Sequence, residues 1–462
     1  MEGSNVKEAG VSNAGVSRRE LLGVAGKASA VVGLGAVAGA YHILPVHAEP
    51  ISRTKRVGAN DKITLALVGC GGMGTQNLRE FVKKPEVQIA GLCDVDESHF
   101  TTASKIVADK YGKAPTLYND YRKVLEQKDI DGVVIATPDH WHCLVLIHAV
   151  EAGKDAYCEK PISHDINEAK AMAAAVAHHK KVVQVGTWQR STAEFVSAVE
   201  FIRSGKLGKV VIARAYKTDP TNCGVHQVAP VPKGFDYDQW VGPAPFVPFV
   251  PEHTHYKWRW FHNYGNGMTG DWGVHMMDIA LLAMSKDTDM VMPTEVTGLG
   301  AMLANPGDDR QWVDTQMVMM KFKEPDFFLH WQTGKRPLDQ AGPSGEGTQF
   351  ITDNGTTLTV WRGGWRVQDP KGEDMPRSYA KPVSDHWQNF LDCVKSREQP
   401  RSNLASMAQT TIVCHLGNAA VFAGETVHFD KAKMDIVGRA GKNTVSYGRE
   451  YRKGYKLPTY KA

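Results

Sequence analysis

The sequence has almost no charge excess, no paired cysteines and no internal repeat, and each absence argues against a class of protein. Lysine and arginine together number 54 and aspartate and glutamate 50, so the formal net charge is only +4. Without a block of basic residues, nucleic acid is not expected as a partner. The seven cysteines are scattered and odd in number, and none are spaced as CxxC. The sequence therefore predicts no cysteine zinc site.

The remaining composition is that of an ordinary globular protein. Of the 462 residues, 42% are hydrophobic and 23% are charged. This length and hydrophobic content suffice for two domains with substantial cores, and they argue against disorder of the whole chain.

The first 48 residues have the pattern of an export signal. Arg18 and Arg19 precede a Gly- and Ala-rich apolar stretch that runs to about Ala40, and Ala48 is the small residue expected before a signal-peptidase cut. The segment resembles a twin-arginine signal, whose route carries folded proteins. We predict an exported, for example periplasmic, protein with no stable membrane span after processing. The alternatives are an uncleaved membrane anchor and a chance pair of arginines.

A glycine fingerprint follows the first strand of the predicted mature protein. Residues 62–68 form a short apolar, β-rich run, and a helix-compatible segment follows the glycines. The first glycine permits a tight turn, the second admits a pyrophosphate, and the third packs the helix against the strand. The predicted phosphate-binding residues are Gly69, Gly71, Gly72, Met73 and Gly74.

The next strand ends in a carboxylate that bears on the choice of cofactor. Asp94 follows residues 87–93 and lies twenty positions beyond Gly74. A carboxylate there accepts hydrogen bonds from the adenosine ribose hydroxyls and repels a 2′-phosphate. NAD is therefore predicted as the cofactor, with NADP less favoured. The alternative interpretation of Asp94 is a turn residue at the end of a strand.

Two further motifs carry candidate catalytic side chains. The alternation of strands and helices continues to residue 158, where Glu159-Lys160-Pro161 follows a buried-looking strand. A later apolar helical stretch opens with Asp271 and His275, four residues apart. On a helix these two side chains share one face. For an isolated pair, a helix cap followed by a core histidine would be the competing interpretation.

These motifs together resemble those of the Gfo/Idh/MocA oxidoreductases, the group that includes inositol dehydrogenase and glucose-fructose oxidoreductase. The likeness covers roughly residues 60–425. It implies a Rossmann doubly wound α/β domain at 60–186 and a C-terminal α/β domain with a mostly antiparallel open sheet at 187–425. Residues 426–462 are left as a polar, basic tail. Alternating runs at 209–216, 295–303, 314–322, 326–333 and 356–361 are the predicted strands of the second sheet.

The resemblance also assigns site residues. It implies Lys160, Asp271 and His275 as the catalytic group. The remaining predicted cofactor contacts are Asp94, Thr137, Pro138, His142, Glu159, Lys160 and Gln189. Arg190 and the aromatic and cationic segment Trp258, Arg259 and Trp260 are the predicted substrate residues, although aromatic residues more often belong to a core. The spacing of the nearby histidines fits no HExxH-like motif, so no metal site is predicted.

The residue types suit the oxidation of a secondary alcohol in a sugar or polyol. His275 is the expected base, because the usual pKa of histidine lies near neutral pH. Lys160 is expected to donate a hydrogen bond to the substrate oxygen, and Asp271 to orient His275 or bind a neighbouring hydroxyl. We also expect a homo-oligomer.

Export narrows the reaction, because an exported enzyme cannot draw on cytoplasmic NAD. The cofactor should stay bound and be regenerated within the cycle. Hydride transfer between two sugars satisfies this condition, and so does NAD-assisted glycoside cleavage by oxidation and elimination. A dehydrogenase with an external acceptor and a non-catalytic sugar or nucleotide sensor remain the alternatives.

Overall fold

The computed structural model describes residues 62–286, 289–335, 343–377 and 383–460. The predicted export signal lies outside these residues. None of the described helices is long and apolar enough to cross a membrane.

The first domain is a six-stranded parallel sheet with the order β3-β2-β1-β4-β5-β6. Its strands are β1 Ile63–Val68, β2 Val87–Cys93, β3 Thr116–Tyr118, β4 Gly132–Ile135, β5 Asp155–Cys158 and β6 Val183–Val185. Its helices are α1 Gly72–Phe81, α2 Phe100–Tyr111, α3 Tyr121–Leu125, α4 Asp139–Glu151 and α5 Ile166–His179. This order confirms the Rossmann doubly wound prediction.

The pattern of β1 shows why the sheet is covered on both faces. Leu65 and Leu67 belong to one buried cluster, whereas Ala66 and Val68 belong to the other. Since successive side chains of a strand point to opposite faces, a strand that is apolar throughout needs helices on both sides. The carboxyl ends of β1, β4 and β5 therefore meet at one open edge, where ligands bind in such sheets.

The second domain is built on a nine-stranded sheet with the order β13-β12-β11-β7-β10-β9-β8-β14-β15. Its strands are β7 Val210–Thr218, β8 Glu295–Ala301, β9 Thr315–Lys323, β10 Asp326–Gly334, β11 Glu346–Thr352, β12 Thr357–Trp361, β13 Gly364–Gln368, β14 Val427–Asp430 and β15 Asp435–Val437. Its helices are α6 Ala193–Arg203, α7 Tyr237–Val241, α8 Val274–Met284, α9 His386–Ser396 and α10 Leu404–Ala423. The pairings are antiparallel except between β7 and β10, which confirms a mostly antiparallel sheet.

The segment predicted as a polar tail is packed against the body of the protein. It begins with β14 and β15, which extend the second sheet. Further along, Arg449 Nη2 donates to Glu168 Oε1 at 2.7 Å, and Tyr451 Oη donates to the same oxygen at 2.7 Å. Glu168 lies on α5 and its side chain is completely buried. The chain beyond residue 425 thus contributes to the packing of the first domain.

Candidate active site

A cavity of about 500 Å³ lies at the carboxyl edge of the parallel sheet. The first domain contributes the turn after β1 and the ends of β4 and β5, and the second domain contributes Trp272, His275 and Arg362. The predicted site residues that line it are Gly69, Gly71, Gly72, Met73, Asp94, Thr137, Pro138, His142, Glu159, Lys160, Trp258, Arg259, Asp271 and His275. The residues predicted to bind the dinucleotide and those predicted to bind the substrate therefore line the same cavity.

The glycine turn is built to admit a phosphate. Gly69 has a φ of +91°, which favours glycine, and a Cβ on Gly74 would lie 1.8 Å from the Gly69 carbonyl oxygen. Nothing lies within 4 Å of a Cβ placed on Gly72, so the turn is open on that side. No side chain caps the N-terminus of α1, which begins after Gly71. Its unsatisfied N–H groups and dipole suit the pyrophosphate of a dinucleotide.

Asp94 connects the glycine turn to the ribose end of the cavity. Its Oδ2 accepts from the Cys70 N–H at 2.7 Å and lies 3.1 Å from His99 Nδ1. Its Oδ1 accepts from the Asp96 N–H at 3.0 Å. The hydrogen bond to Asp94 outweighs burial and raises the pKa of His99. Asp94 therefore fixes the backbone of the glycine turn, and its contact with a cofactor ribose stays a prediction.

His142 holds two strand ends together. Its Nδ1 lies 2.7 Å from the carbonyl oxygen of Pro161, and its Nε2 lies 2.8 Å from that of Thr137. Burial lowers the pKa of His142 to about 4, so the ring is neutral near pH 7. A neutral imidazole carries one N–H and donates to one of the two carbonyls at a time.

Lys160 and Asp271 form the centre of the predicted catalytic group. Lys160 Nζ donates to Asp271 Oδ1 at 2.8 Å and to the Asp271 carbonyl oxygen at 3.0 Å. Arg259 Nε lies 3.4 Å from the same Oδ1. Burial alone would raise the pKa of Asp271, but the charges of Lys160 and Arg259 hold it well below its usual range. Asp271 is therefore an ionised carboxylate between two cations.

His275 lies beside this group without a hydrogen bond to Asp271. Its side chain lines the cavity, and its buried Nδ1 has no hydrogen-bond partner. Burial lowers the pKa of His275 well below its usual value, and the charges of Lys160 and Arg362 lower it further. Lys160 and Arg259 both contact Asp271 Oδ1, and no hydrogen bond joins Asp271 to His275 in the described part of the chain. The expected role of Asp271, to orient His275 or to bind a neighbouring hydroxyl, stays a prediction. The lowered pKa leaves His275 neutral.

The backbone around Asp271 differs from a regular helix. Residues Thr269–Gly273 form a π-helical turn, and α8 begins only at Val274. Such turns are often found at functional sites. Asp271 is not the helix cap that was the competing interpretation, since Gly273 precedes the first residue of α8.

Glu159 lies at the back of the cavity. Its Oε1 accepts from Asn77 Nδ2 at 2.9 Å, and burial raises its pKa. A Cβ on Gly186 would lie 2.6 Å from the same Oε1. Glycine at position 186 therefore gives Glu159 the room to lie against the strand end.

Four predicted residues lie outside the cavity lining: Gly74, whose place in the turn is described above, and Gln189, Arg190 and Trp260. Arg190 is buried and makes two hydrogen bonds to Asp278, at 2.8 and 2.5 Å, so its charge is used inside the second domain. Trp260 is buried against Arg310, 4.8 Å from the ring centre to the guanidinium carbon. Gln189 is buried and contacts the cavity through Arg362, whose Nη2 lies 3.4 Å from Gln189 Oε1. Arg190 and Trp260 are not placed to contact a substrate there.

Several lining residues were not predicted from the sequence. Asp139, the first residue of α4, is buried, and burial raises its pKa to about 8. Trp188, Trp272 and Arg362 form one wall near His275. Asp139 follows the predicted Thr137-Pro138 turn directly, which is a local signal that could have found it. Trp188, Trp272 and Arg362 come from distant parts of the chain, so no local sequence pattern indicates that they form a wall.

Two histidine clusters come close enough to share a metal ion. His226, His253 and Asp309 form one, and Asp96, His99 and His255 form the other. Hydrogen-bonding partners already explain most of these contacts. His226 Nδ1 lies 3.1 Å from Asp309 Oδ2, and His255 Nε2 lies 2.9 Å from Asp96 Oδ2.

The parallel sheet, the glycine turn and the shared cavity define a two-domain dinucleotide-binding protein. Residues 63–187 match the family model GFO_IDH_MocA, described as an oxidoreductase family with an NAD-binding Rossmann fold. Residues 209–301 match the C-terminal alpha/beta domain of the same family. Residues 63–187 are therefore similar to the NAD-binding domain, and residues 209–301 to the C-terminal domain, of the Gfo/Idh/MocA oxidoreductases.

Individual relatives resemble parts of the chain. A glycosyl hydrolase family 109 protein of Stenotrophomonas maltophilia is 36% identical over 104 residues, which cover 21% of this chain and 23% of that protein. Inositol 2-dehydrogenase 4 of Saccharopolyspora erythraea is 29% identical over 178 residues, which cover 38% of this chain and 49% of that protein. The matched region therefore spans half or less of these two relatives.

A solved structure extends the likeness to most of the chain. The aldose-aldose oxidoreductase of Caulobacter crescentus, complexed with glycerol, superposes with a TM-score of 0.60. The match covers 80% of this chain and 100% of that one at 16% identity. At this identity the likeness concerns the fold alone.

Proposed function

We propose that the protein oxidises a secondary hydroxyl of a sugar, glycoside or polyol and uses NAD as the hydride acceptor. The observation that carries the proposal is the cluster of Lys160, Asp271 and His275 in the same cavity as the glycine turn. These residues supply a hydrogen-bond donor, a carboxylate and a neutral imidazole, which are the groups that alcohol oxidation needs next to a nicotinamide.

Each side chain has a distinct part in this proposal. His275 is neutral because of burial and nearby cations, so a ring nitrogen offers its lone pair to the hydroxyl proton, although the same surroundings lower the basicity of the ring. Lys160 donates a hydrogen bond to the substrate oxygen and stabilises the negative charge that develops there. Asp271 holds the Lys160 ammonium in place at 2.8 Å. When bound, NAD supplies the acceptor for the hydride that leaves the same carbon.

The residues that hold NAD in this proposal are those of the glycine turn, Asp94 and Glu159. The uncapped start of α1 faces the pyrophosphate, and Asp94 faces the adenosine ribose. Glu159 faces the nicotinamide-side ribose, as the family resemblance implies. The proposal also includes export by the twin-arginine signal and an NAD molecule that stays bound and is regenerated in each cycle.

A second candidate reaction is NAD-dependent glycoside cleavage. Oxidation at one carbon acidifies its neighbour, elimination then breaks the glycosidic bond, and the hydride is finally returned to the sugar. The similarity of 104 residues to a glycosyl hydrolase family 109 protein supports this candidate. Both reactions begin with the same oxidation and the same three residues.

A substrate screen with mass detection tests the proposal. The natively purified protein is first examined for bound NAD, and is then incubated with glucosides, galactosides and inositols. Keto-sugars indicate the oxidoreductase, and released aglycones indicate the glycosidase. A protein that binds no NAD and transforms none of these compounds would contradict the proposed function.

A further inference from the structure

Arg362 faces the cavity, and the proposed oxidation gives it no contact with the substrate, although its charge helps to keep His275 neutral. It lies in the two-residue turn between β12 and β13 and lines the same cavity as Lys160 and His275. Its guanidinium carbon lies 4.5 Å from the ring centre of Trp188 and 4.3 Å from that of Trp272. Stacking on these rings fixes the guanidinium plane and leaves its N–H groups directed outward from the edge of that plane.

The guanidinium of Arg362 has no carboxylate within salt-bridge distance in the described part of the chain. Nη2 reaches Gln189 Oε1 at 3.4 Å, and the buried Nε has no hydrogen-bond partner among the described residues. Burial lowers the pKa of Arg362, although the charges of Glu346, Asp271 and Glu194 act in the opposite direction. Most of its five donors are therefore unused.

The buried arginines of the described chain are paired with carboxylates, whereas Arg362 is only partly buried. The three arginines that the structure buries each bind an aspartate, at distances of 2.5 to 2.9 Å: Arg190, Arg310 and Arg397. Lys217 also lies over the Trp272 ring, at 4.1 Å, but it has Glu346 as a partner at 3.3 Å. Arg362 alone among these five faces the cavity without a carboxylate.

The charges around this end of the cavity do not neutralise Arg362. Asp271 is already shared by Lys160 and Arg259. Asp139 has a pKa of about 8 and holds its proton near pH 7. Glu159 is held at the back of the cavity by Asn77. Lys160, Arg259 and Arg362 thus line the substrate end of the cavity, and the ionised carboxylate of Asp271 is bound by the first two.

We propose that Arg362 and the two indoles form a subsite for a carboxylate, and that the substrate is an acidic sugar such as a uronic or aldonic acid. This inference rests on the proposed function for the position of the reacting hydroxyl, which lies at Lys160 and His275. Arg362 binds the carboxylate with two parallel N–H donors, the geometry that arginine favours. Gln189 is a positioning residue that holds the opposite side of the guanidinium.

Matched pairs of ligands test the subsite by calorimetry on the full-length, NAD-loaded protein. The pairs are glucuronate with glucose, galacturonate with galactose, and gluconate with glucitol, which differ in the carboxylate. We expect at least one acid to bind roughly 10- to 100-fold more tightly than its neutral partner, the range of a charge-assisted hydrogen bond. Arg362→Met should remove that preference, Arg362→Lys should keep part of it, and affinity for the neutral sugar should not change.

The control variant is Arg377→Met, whose guanidinium lies over Trp365 outside the cavity lining. It should bind all six ligands as the wild type does. Equal affinity within all three pairs, or an acid preference that survives Arg362→Met, would overturn the subsite. Oxidation of neutral sugars without any acid preference would overturn the subsite while leaving the proposed function intact. Arg362-dependent binding of an acid that is never oxidised would support the subsite and contradict the proposed function.

Discussion

Lys160 Nζ and Asp271 Oδ1 lie 2.8 Å apart although 111 residues separate them in the chain. Lys160 follows β5 of the parallel sheet, and Asp271 lies in the π-helical turn before α8. The contact therefore joins the end of the nucleotide-binding sheet to the second domain. It places the cation where hydride and proton leave the substrate in the proposed reaction.

Asp94 should set the preference for NAD over NADP. Asp94→Ala removes the acceptor for the ribose hydroxyls and the charge that repels a 2′-phosphate. We expect NADH to bind roughly 10- to 100-fold more weakly, and NADPH to gain relative to NADH. Fluorescence titration with both reduced cofactors measures the ratio of the two dissociation constants.

Asp96→Ala is the matched control for this ratio. The Asp96 carboxylate accepts from the Ser98 N–H and pairs with His255, so its loss should leave the ratio unchanged. An unchanged ratio in Asp94→Ala would show that Asp94 is only a structural residue of the turn.

Gly74, the third glycine of the fingerprint, should be required for packing of the turn, whereas Gly72 should not. Gly74→Ala places a Cβ 1.8 Å from the Gly69 carbonyl oxygen and should lower the free energy of unfolding by about 1–3 kcal/mol. Gly72→Ala meets nothing within 4 Å and lies in the first turn of α1, where alanine is favoured over glycine. Denaturant unfolding without cofactor compares the two. Equal destabilisation would contradict the described turn.

Asp139 should make stability fall as pH rises. Its folded pKa of about 8 lies above the unfolded value of about 3.9. Between these values the folded state holds a proton that the unfolded chain has lost, so stability is full below pH 4 and is lost toward pH 8. Asp139→Asn should therefore raise Tm relative to the wild type more at pH 8 than at pH 5.

The exposed Asp353 supplies the control, because Asp353→Asn should shift Tm equally at both pH values. If Asp139→Asn behaved in the same way, Asp139 would be ionised in the folded protein, and the count of charges around Arg362 would change.

Arg449 should be important for stability although it lies in the region predicted as a tail. Its partner Glu168 is completely buried, so Arg449→Met leaves an uncompensated carboxylate and should cost about 3–5 kcal/mol. Arg452→Met breaks a pair with the largely exposed Asp238 and should cost no more than about 1 kcal/mol. Urea unfolding of both variants measures the difference, and similar costs would show that residues near 449 do not pack as described.

Local signals were enough to predict the first domain and many of the residues that line the cavity. The apolar run of β1, the glycine spacing and the strand end at Glu159 each depend on neighbouring residues. The structure of each of these segments follows from the backbone geometry of a strand, a turn and a helix. Asp94 was found in the same way, by its distance from the glycines, whereas its bonds to Cys70 and His99 needed the structure.

The second domain shows where sequence reasoning ends. β11 was not predicted, because its first residues Glu346 and Gly347 continue a glycine-rich segment that is typical of a loop. Its partner β7 lies more than a hundred residues earlier, and the pairing decides its conformation. Arg190 was predicted at the substrate from the family resemblance, but Asp278 on α8 binds it instead. Arg362 reaches the cavity only through the fold of the hairpin between β12 and β13.

The most direct test of the account is transfer of deuterium from a substrate labelled at the oxidised carbon to the nicotinamide of the bound NAD, followed by mass spectrometry. The account predicts transfer by the wild type, a rate lowered roughly 10²- to 10³-fold in Lys160→Met, and normal transfer in the control Lys105→Met, whose side chain is exposed on α2. Full-rate transfer by Lys160→Met with NAD still bound would contradict the role of the Lys160 and Asp271 pair.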